Sequence, residues 1–231
     1  DTISMTEATR LQGTGTLTIQ SQTAATIVGV AGGAGTLQIP ASYFSTNFVD
    51  GFSGIIIGGE DSGDIDVGGN FTIRDDVTLQ SAADVKINAG LTWASANKLT
   101  LAADDEVYVN QAIANTNTTG GGVYFSAGNT TNKVIFGTDG KVVIHNAEQL
   151  QWMSTGLAGK YELGGNIDAS ATSGWNGGLG FEPVGTFTGS FNGLNHTISG
   201  LTINRSSSYA GLFSNAGTGS SISNVRSEEH T

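Results

Sequence analysis

The chain contains no cysteine and only two prolines in 231 residues. Without thiols there are no disulfide staples, no thiolate nucleophile and no cysteine-based metal site, so burial and hydrogen bonding must hold the fold. Charge is scarce too. Only 13% of residues are charged, and nine Lys or Arg stand against 20 Asp or Glu. A net charge of −11 with scattered cations opposes binding to nucleic acid or an anionic membrane surface, both of which need clustered basic residues. No apolar run approaches the roughly 18 residues of a membrane-spanning helix. No basic segment followed by an apolar one marks a signal peptide, and a start on Asp1 in mid-pattern reads as a fragment of something longer.

Glycine is abundant, with 35 residues. Glycine at corners and Thr, Ser, Asn and Val in short runs is the composition of a stacked β protein. The organising stretch is Val77 to Ile113, which states one pattern twice: Val77, Leu79, Val85, Ile87 and Leu91 recur as Leu99, Leu101, Val107, Val109 and Ile113, 22 residues on (99 − 77 = 22). Apolar and polar residues alternate within each short run, which is strand periodicity. One such unit cannot bury its apolar face alone, so units at a fixed period must stack on one another. An all-β fold follows: a parallel β-helix (β-solenoid) with coils of about 20–24 residues. Residue i then sits over residue i+22, and each inward Val, Leu or Ile contributes roughly 1.5–3 kcal/mol. Asp84 falls near Glu106, a like-charge pairing that costs about 0.2–1 kcal/mol and is easily outweighed.

Other segments fit around this repeat. Leu17 to Ile19 and Leu37 to Ile39, 20 apart (37 − 17 = 20), read as an earlier coil, and Tyr43 to Phe52 as an aromatic loop or lateral insertion. Ile55 to Ile57, Ile65 to Val67 and Phe71 to Ile73 lead into the repeat, while Val123 to Phe125, Val134 to Phe136 and Val142 to Ile144 extend it. Asn146, with Gln149 three positions on and apolar Leu150 and Met153, predicts a short capped lateral helix near 146–154 and a boundary near residue 145. Beyond it, Ile198 to Leu201 recurs as Ile222 to Val225 at a spacing of 24 (222 − 198 = 24). The strand pattern then breaks, and Arg226 to Thr231 looks like a sequencing-adapter stretch read in frame, so residues 226–231 are expected to be a non-native tail.

Candidate chemistry is thin. The acidic clusters Glu60, Asp61, Asp64 and Asp66, then Asp75 and Asp76, then Asp104, Asp105 and Glu106 suit Ca²⁺ or the cleft of a polysaccharide lyase or hydrolase. Solvated corners are the preferred reading, because no Gly-Gly-x-Gly-x-Asp repeat is present. His145, His196 and His230 are too far apart in different contexts to suggest a metal triad, and no Gly-x-Ser-x-Gly or His-Glu-x-x-His motif occurs. No catalytic residue, cofactor or metal is therefore expected. Trp175, with Phe181 close by, is a possible aromatic platform for a glycan or partner, although such a tryptophan more often packs over its own loop. Trp93 and Trp152 are expected to cover the core. The loops Tyr43 to Phe52, Asn115 to Gly122 and Ser170 to Gly180 are the expected contact regions.

Ile55-Ile56-Ile57-Gly58, Asp75-Asp76-Val77-Thr78-Leu79-Gln80-Ser81 and Leu99-Thr100-Leu101-Ala102-Ala103 resemble the filamentous haemagglutinin-like exoproteins of Gram-negative bacteria. From His145 onward, Gly185-Thr186-Phe187-Thr188-Gly189-Ser190-Phe191-Asn192-Gly193, His196-Thr197-Ile198 and Tyr209-Ala210-Gly211-Leu212-Phe213 look like the GLUG-motif region of such exoproteins and of some surface peptidases, with Ser214 where the motif closes on glycine. The resemblance implies haemagglutinin-like β-helix coils over 1–144 and a GLUG-like continuation over 145–225. It also implies right-handed winding, secretion through an outer-membrane transporter partner, a secreted or outer-membrane-associated location, and adhesion to receptors or glycans on host cells, matrix or other bacteria. Some members carry sugars on asparagine, which makes Asn70, Asn117, Asn129, Asn195 and Asn204, each in an Asn-x-Ser/Thr triplet, possible glycosylation sites. The expected role is a non-catalytic shaft segment of an adhesin; the alternatives are a carbohydrate-active β-helix enzyme or the spacer of a surface peptidase.

Overall fold

The computed structural model describes residues 2–127, 133–206 and 210–228, with side chains to 226. The chain is mostly short strands, and each strand-to-strand pairing among the described residues is parallel. The first sheet orders Thr16–Ile19, Gly54–Gly58, Val77–Ser81, Lys98–Ala103 and Gly122–Ala127 side by side. A second runs from Leu37–Ile39 through Val28–Val30, Ile65–Val67, Val85–Ile87 and Val107–Val109 to Val134–Phe136. The third stacks Leu91–Trp93, Ala112–Asn115, Lys141–Ile144, Lys160–Leu163, Ser190–Asn192 and Ser221–Ser223. Between Lys98 and Ile144 the chain visits the first, second and third sheets in turn and then repeats the circuit. Two smaller parallel sheets, Ile167–Asp168 with Thr197–Ser199 and Arg226–Glu228, and Val184–Phe187 with Phe213–Ala216, accompany the later part.

Register follows the apolar period. Val77 lies beside Leu99, Val85 beside Val107 and Leu91 beside Ile113, one repeat on each sheet. Alternation then does the sorting: Val77, Leu79 and Ser81 are buried while Thr78 and Gln80 between them are not. The inward columns, such as Ile57, Leu79, Leu101 and Phe125, join those of the other sheets in one continuous cluster. A one-residue slip would turn each column outward, so the register is strongly specified.

Four segments depart from the sequence reading. Leu17 and Leu37 are not one coil apart, because Leu17 pairs with Ile55 in the first sheet and Leu37 with Val28 in the second. Val28–Val30 and Leu37–Ile39 are parallel neighbours across only six intervening residues, a tight crossover that glycine permits: a Cβ at Gly33 would lie 1.9 Å from the Asp66 carbonyl oxygen. Tyr43 to Phe52 is not an exposed contact loop in its first half. Tyr43–Asn47 forms a π-helical turn whose Phe44 stacks at 4.5 Å on Phe71, and Tyr43, Phe44 and Phe48 are buried. The 24-residue spacing from Ile198 to Ile222 is not a stacking register. Ile222 pairs with Phe191 (222 − 191 = 31) and Ile198 with Ser227 (227 − 198 = 29), because longer corners lengthen the later repeats. The strand pattern therefore continues through Arg226–Glu228 rather than breaking at Val225.

The capped helix is present as Ala147–Trp152, followed by a 3₁₀ turn Met153–Thr155. Asn146 Oδ1 accepts the Gln149 amide at 2.8 Å, and Gln149 Oε1 reaches back to the amide of His145, one residue earlier than a capping box requires. Leu150 and Met153 are fully buried, so the helix packs its apolar side on the stack. The third sheet crosses residue 145 without interruption, with Val142 beside Tyr161.

Candidate binding surface

The acidic corners have a structural use. Asp64 Oδ1 accepts the Asp84 amide and Asp84 Oδ1 accepts the Glu106 amide, each at 3.2 Å, so each of these two acids closes the strand entry of the next repeat. Asp76 Oδ1 does the same for the Lys98 amide at 2.8 Å, and Asn70 Oδ1 accepts the amide of Thr92, inside the strand Leu91–Trp93, at 3.0 Å. Lys86 projects between the stacked acids, bonding Asp64 and lying 3.1 Å from Asp84 Oδ2. Burial pushes the Asp64 carboxyl up, but the Lys86 ammonium and the Asp84 amide outweigh it and hold the group below the usual carboxylate range. The bond to Asp64 lifts Lys86 above the ordinary lysine value. Asp75 shifts the other way, since burial raises it more than its 2.9 Å bond from the Gly51 amide lowers it.

An amide ladder continues the theme on the outer face of the second sheet. Asn110 Nδ2 donates to Asn88 Oδ1 at 2.7 Å and Asn88 Nδ2 to Asp66 Oδ2 at 3.0 Å. Among the described residues no three His, Cys, Asp or Glu side chains converge to hold a metal. The His145 ring packs over Gly164, with its buried Nδ1 unpartnered among the described residues, and His196 sits in a turn with its amide on the Gly193 carbonyl. His230 lies outside the described residues.

Trp175 is half-buried in the segment Ser170–Gly178 and packs against the core cluster. Phe181 corrects the sequence reading: it is fully buried, so its ring is not available to a ligand. Trp93 is buried and donates from Nε1 to the Asn97 carbonyl at 2.9 Å, whereas Trp152 is half-exposed and stands edge-on to Tyr124, ring centroids 5.9 Å apart. Of the five asparagines, Asn70 and Asn117 spend their amides on backbone one repeat away, Nδ2 reaching the carbonyls of Thr92 and Ala94. Asn204 donates to the Gly178 carbonyl at 3.3 Å, Asn195 is exposed in a left-handed corner (φ 64°), and Asn129 lies outside the described residues.

The concavity that sequence reasoning missed lies on the outer face of the third sheet and has a volume of about 570 Å³. Lys141, Lys160, Ser190 and Ser221 stand in one outward column, and Glu162, Asn192 and Ser223 in the next. Lys141 Nζ meets Glu162 Oε2 at 2.7 Å, and Lys160 Nζ donates to the Gly137 carbonyl at 2.6 Å. Beneath them the Tyr161 hydroxyl is wholly buried and donates to the Gly156 carbonyl at 2.8 Å, and burial pushes its pKa far up. No sequence motif announces this trough, because its residues come from four strands at unequal spacings.

No family model matches the chain, and no solved structure matches it. Over 69 residues, 29% of its length, the chain is 54% identical to halomucin of Haloquadratum walsbyi (strain DSM 16790 / HBSQ001). That stretch amounts to 1% of halomucin, so the chain is similar to a very small part of that protein.

Proposed function

We propose that the parallel sheets close into a right-handed β-helix and that this chain is a structural segment of the shaft of a secreted or cell-surface adhesin. It extends the molecule and attaches through its outer faces to receptors or glycans on host cells, matrix or other bacteria, with no chemical step. The observation that carries the reading is the in-register stacking of parallel strands over one core fed by all three sheets. Such a stack grows by adding repeats and presents a regular polar exterior. The resemblance to haemagglutinin-like exoproteins supports the adhesive role, and the likeness to a protein named as a mucin supports the surface location. Transport by an outer-membrane partner, and any outer-membrane association, rest on the haemagglutinin-like resemblance alone.

Two measurements test the proposal together. Small-angle scattering of the purified chain should give the pair-distance distribution of a rod, and beads coated with it should attach to epithelial cells or immobilised matrix above albumin-coated controls. A globular scattering profile overturns the β-helix, and attachment no better than albumin on every surface overturns the adhesive role.

A further inference from the structure

We propose that the trough on the third sheet is a binding site for a neutral, hydroxyl-rich glycan laid along the direction of strand stacking. The inference rests on the surface-attachment reading above and names the ligand class and the place. Its floor is short and polar. Ser190 lies beside Ser221 and Asn192 beside Ser223, so donors and acceptors repeat at the inter-strand spacing of roughly 4.8 Å. That spacing is close to the length of one sugar ring, so successive rings of an extended chain meet equivalent groups. Among the described residues nothing partners the Ser190, Ser221 and Ser223 hydroxyls, and Asn192 uses only Oδ1, which accepts from Leu194 and Asn224.

Charge selects the class of glycan. Two of the nine cations of the chain, Lys141 and Lys160, line the trough with two acids, Asp139 and Glu162, so its formal charge cancels (2 − 2 = 0). Lys141 is neutralised by Glu162, and Lys160 points to the carbonyls of Gly137 and Thr138. An anionic sugar would have to displace these bonds on a molecule that carries −11 overall, whereas hydroxyls can join them as donors and acceptors at no such cost. Tyr161 lines the trough through its backbone while its ring is buried beneath, so among the described residues no aromatic face is open to a ligand there and the contacts are hydrogen bonds, which sets an expectation of weak affinity per site.

The test is NMR titration of the intact chain with maltohexaose, cellohexaose and mannohexaose, against oligogalacturonate as the anionic probe. Expected are shifts of Ser190, Asn192, Ser221 and Ser223 amides with at least one neutral hexasaccharide. Ser190→Val with Asn192→Leu should weaken that binding about tenfold or more in protein whose amide spectrum away from the trough remains that of the folded parent. Gln80→Leu, on the first sheet, serves as the control and should leave binding unchanged. Stronger binding of oligogalacturonate than of all three neutral sugars overturns the charge argument, and no shift of trough residues with any neutral sugar overturns the site. Attachment of coated beads that persists in Ser190→Val/Asn192→Leu under either of those results would sink this inference and leave the adhesive reading standing.

Discussion

Two isoleucines in the same inward column give a self-controlled measure of the stacking. The third sheet lines up Leu91, Ile113, Val142, Tyr161, Phe191 and Ile222. Ile113 in its middle is 1% exposed, and Ile222 at its edge is 42% exposed. Ile→Ala removes the same atoms at both places. At Ile113 the loss includes both transfer and the cavity left between Leu91 and Val142, and should cost about 3–4 kcal/mol. At Ile222 only a little over half of the side chain is covered and no closed cavity forms, so about 1–1.5 kcal/mol is expected. The difference of about 2 kcal/mol should separate the melting temperatures by roughly 4–8 °C in a domain of this size. Circular dichroism melts and urea titrations of both variants beside the parent read it directly. Equal losses, or a loss at Ile113 below about 1 kcal/mol, would refute the idea that these residues stack as one column inside the core.

Further outcomes follow from other contacts. Lys86→Met should flatten the pH dependence of stability at both ends. Asp64 is held below its ordinary value, so the stability it contributes is present above that value and lost as pH falls through the folded pKa; the raised Lys86 contributes below its ordinary value and loses its share as pH rises through the higher folded pKa. Melts across pH check it, and the loss at neutral pH should stay within about 1 kcal/mol because the pair is partly solvated. Gly140→Ala should prevent stable folding, as its Cβ would sit 1.7 Å from the Val109 carbonyl oxygen, while Gly165→Ala, with nothing within 4 Å, should leave soluble yield and melting temperature near the parent. Asn146→Ala should cost about 1–2 kcal/mol in urea unfolding, since its side chain caps the helix and also donates to the carbonyls of Asn117 and Gly120.

The middle of the fold was legible because Val77 to Ile113 repeats at a constant 22 residues, so apolar alternation gave both the strands and their partners. Asn146 and Gln149 announced the helix for a local reason, that a cap is written within four residues. Reading failed where corners change length. Ile198 and Ile222 share spelling, yet turns such as that at Leu194 and Asn195 shift the pairing to Ser227 and Phe191. Phe44 and Phe48 looked like a loose aromatic loop, because the packing of Phe44 on Phe71, with Phe48 edge-on to Phe44, joins residues that no periodicity connects. Trp175 and Phe181 were close in sequence, but only the tertiary fold separates a half-buried ring from a wholly buried one. The trough of Lys141, Glu162, Asn192 and Ser223 was invisible for a similar reason, since its members are 21, 30 and 31 residues apart (162 − 141, 192 − 162, 223 − 192).

The most direct test of the central claim, that the repeats stack in register, 22 residues apart between Val77 and Ile113, uses the natural absence of cysteine. Thr78→Cys is combined in turn with Lys98→Cys, Thr100→Cys or Ala102→Cys, three outward positions of the neighbouring strand, and the rate of disulfide closure is followed by intact mass. Thr78 and Thr100 are paired neighbours, so their separation of roughly 4.8 Å falls in the range a disulfide spans, while a two-residue offset lies beyond it. The account predicts fastest closure with Thr100→Cys. Faster closure with Lys98→Cys or Ala102→Cys, or none with any partner, would contradict it.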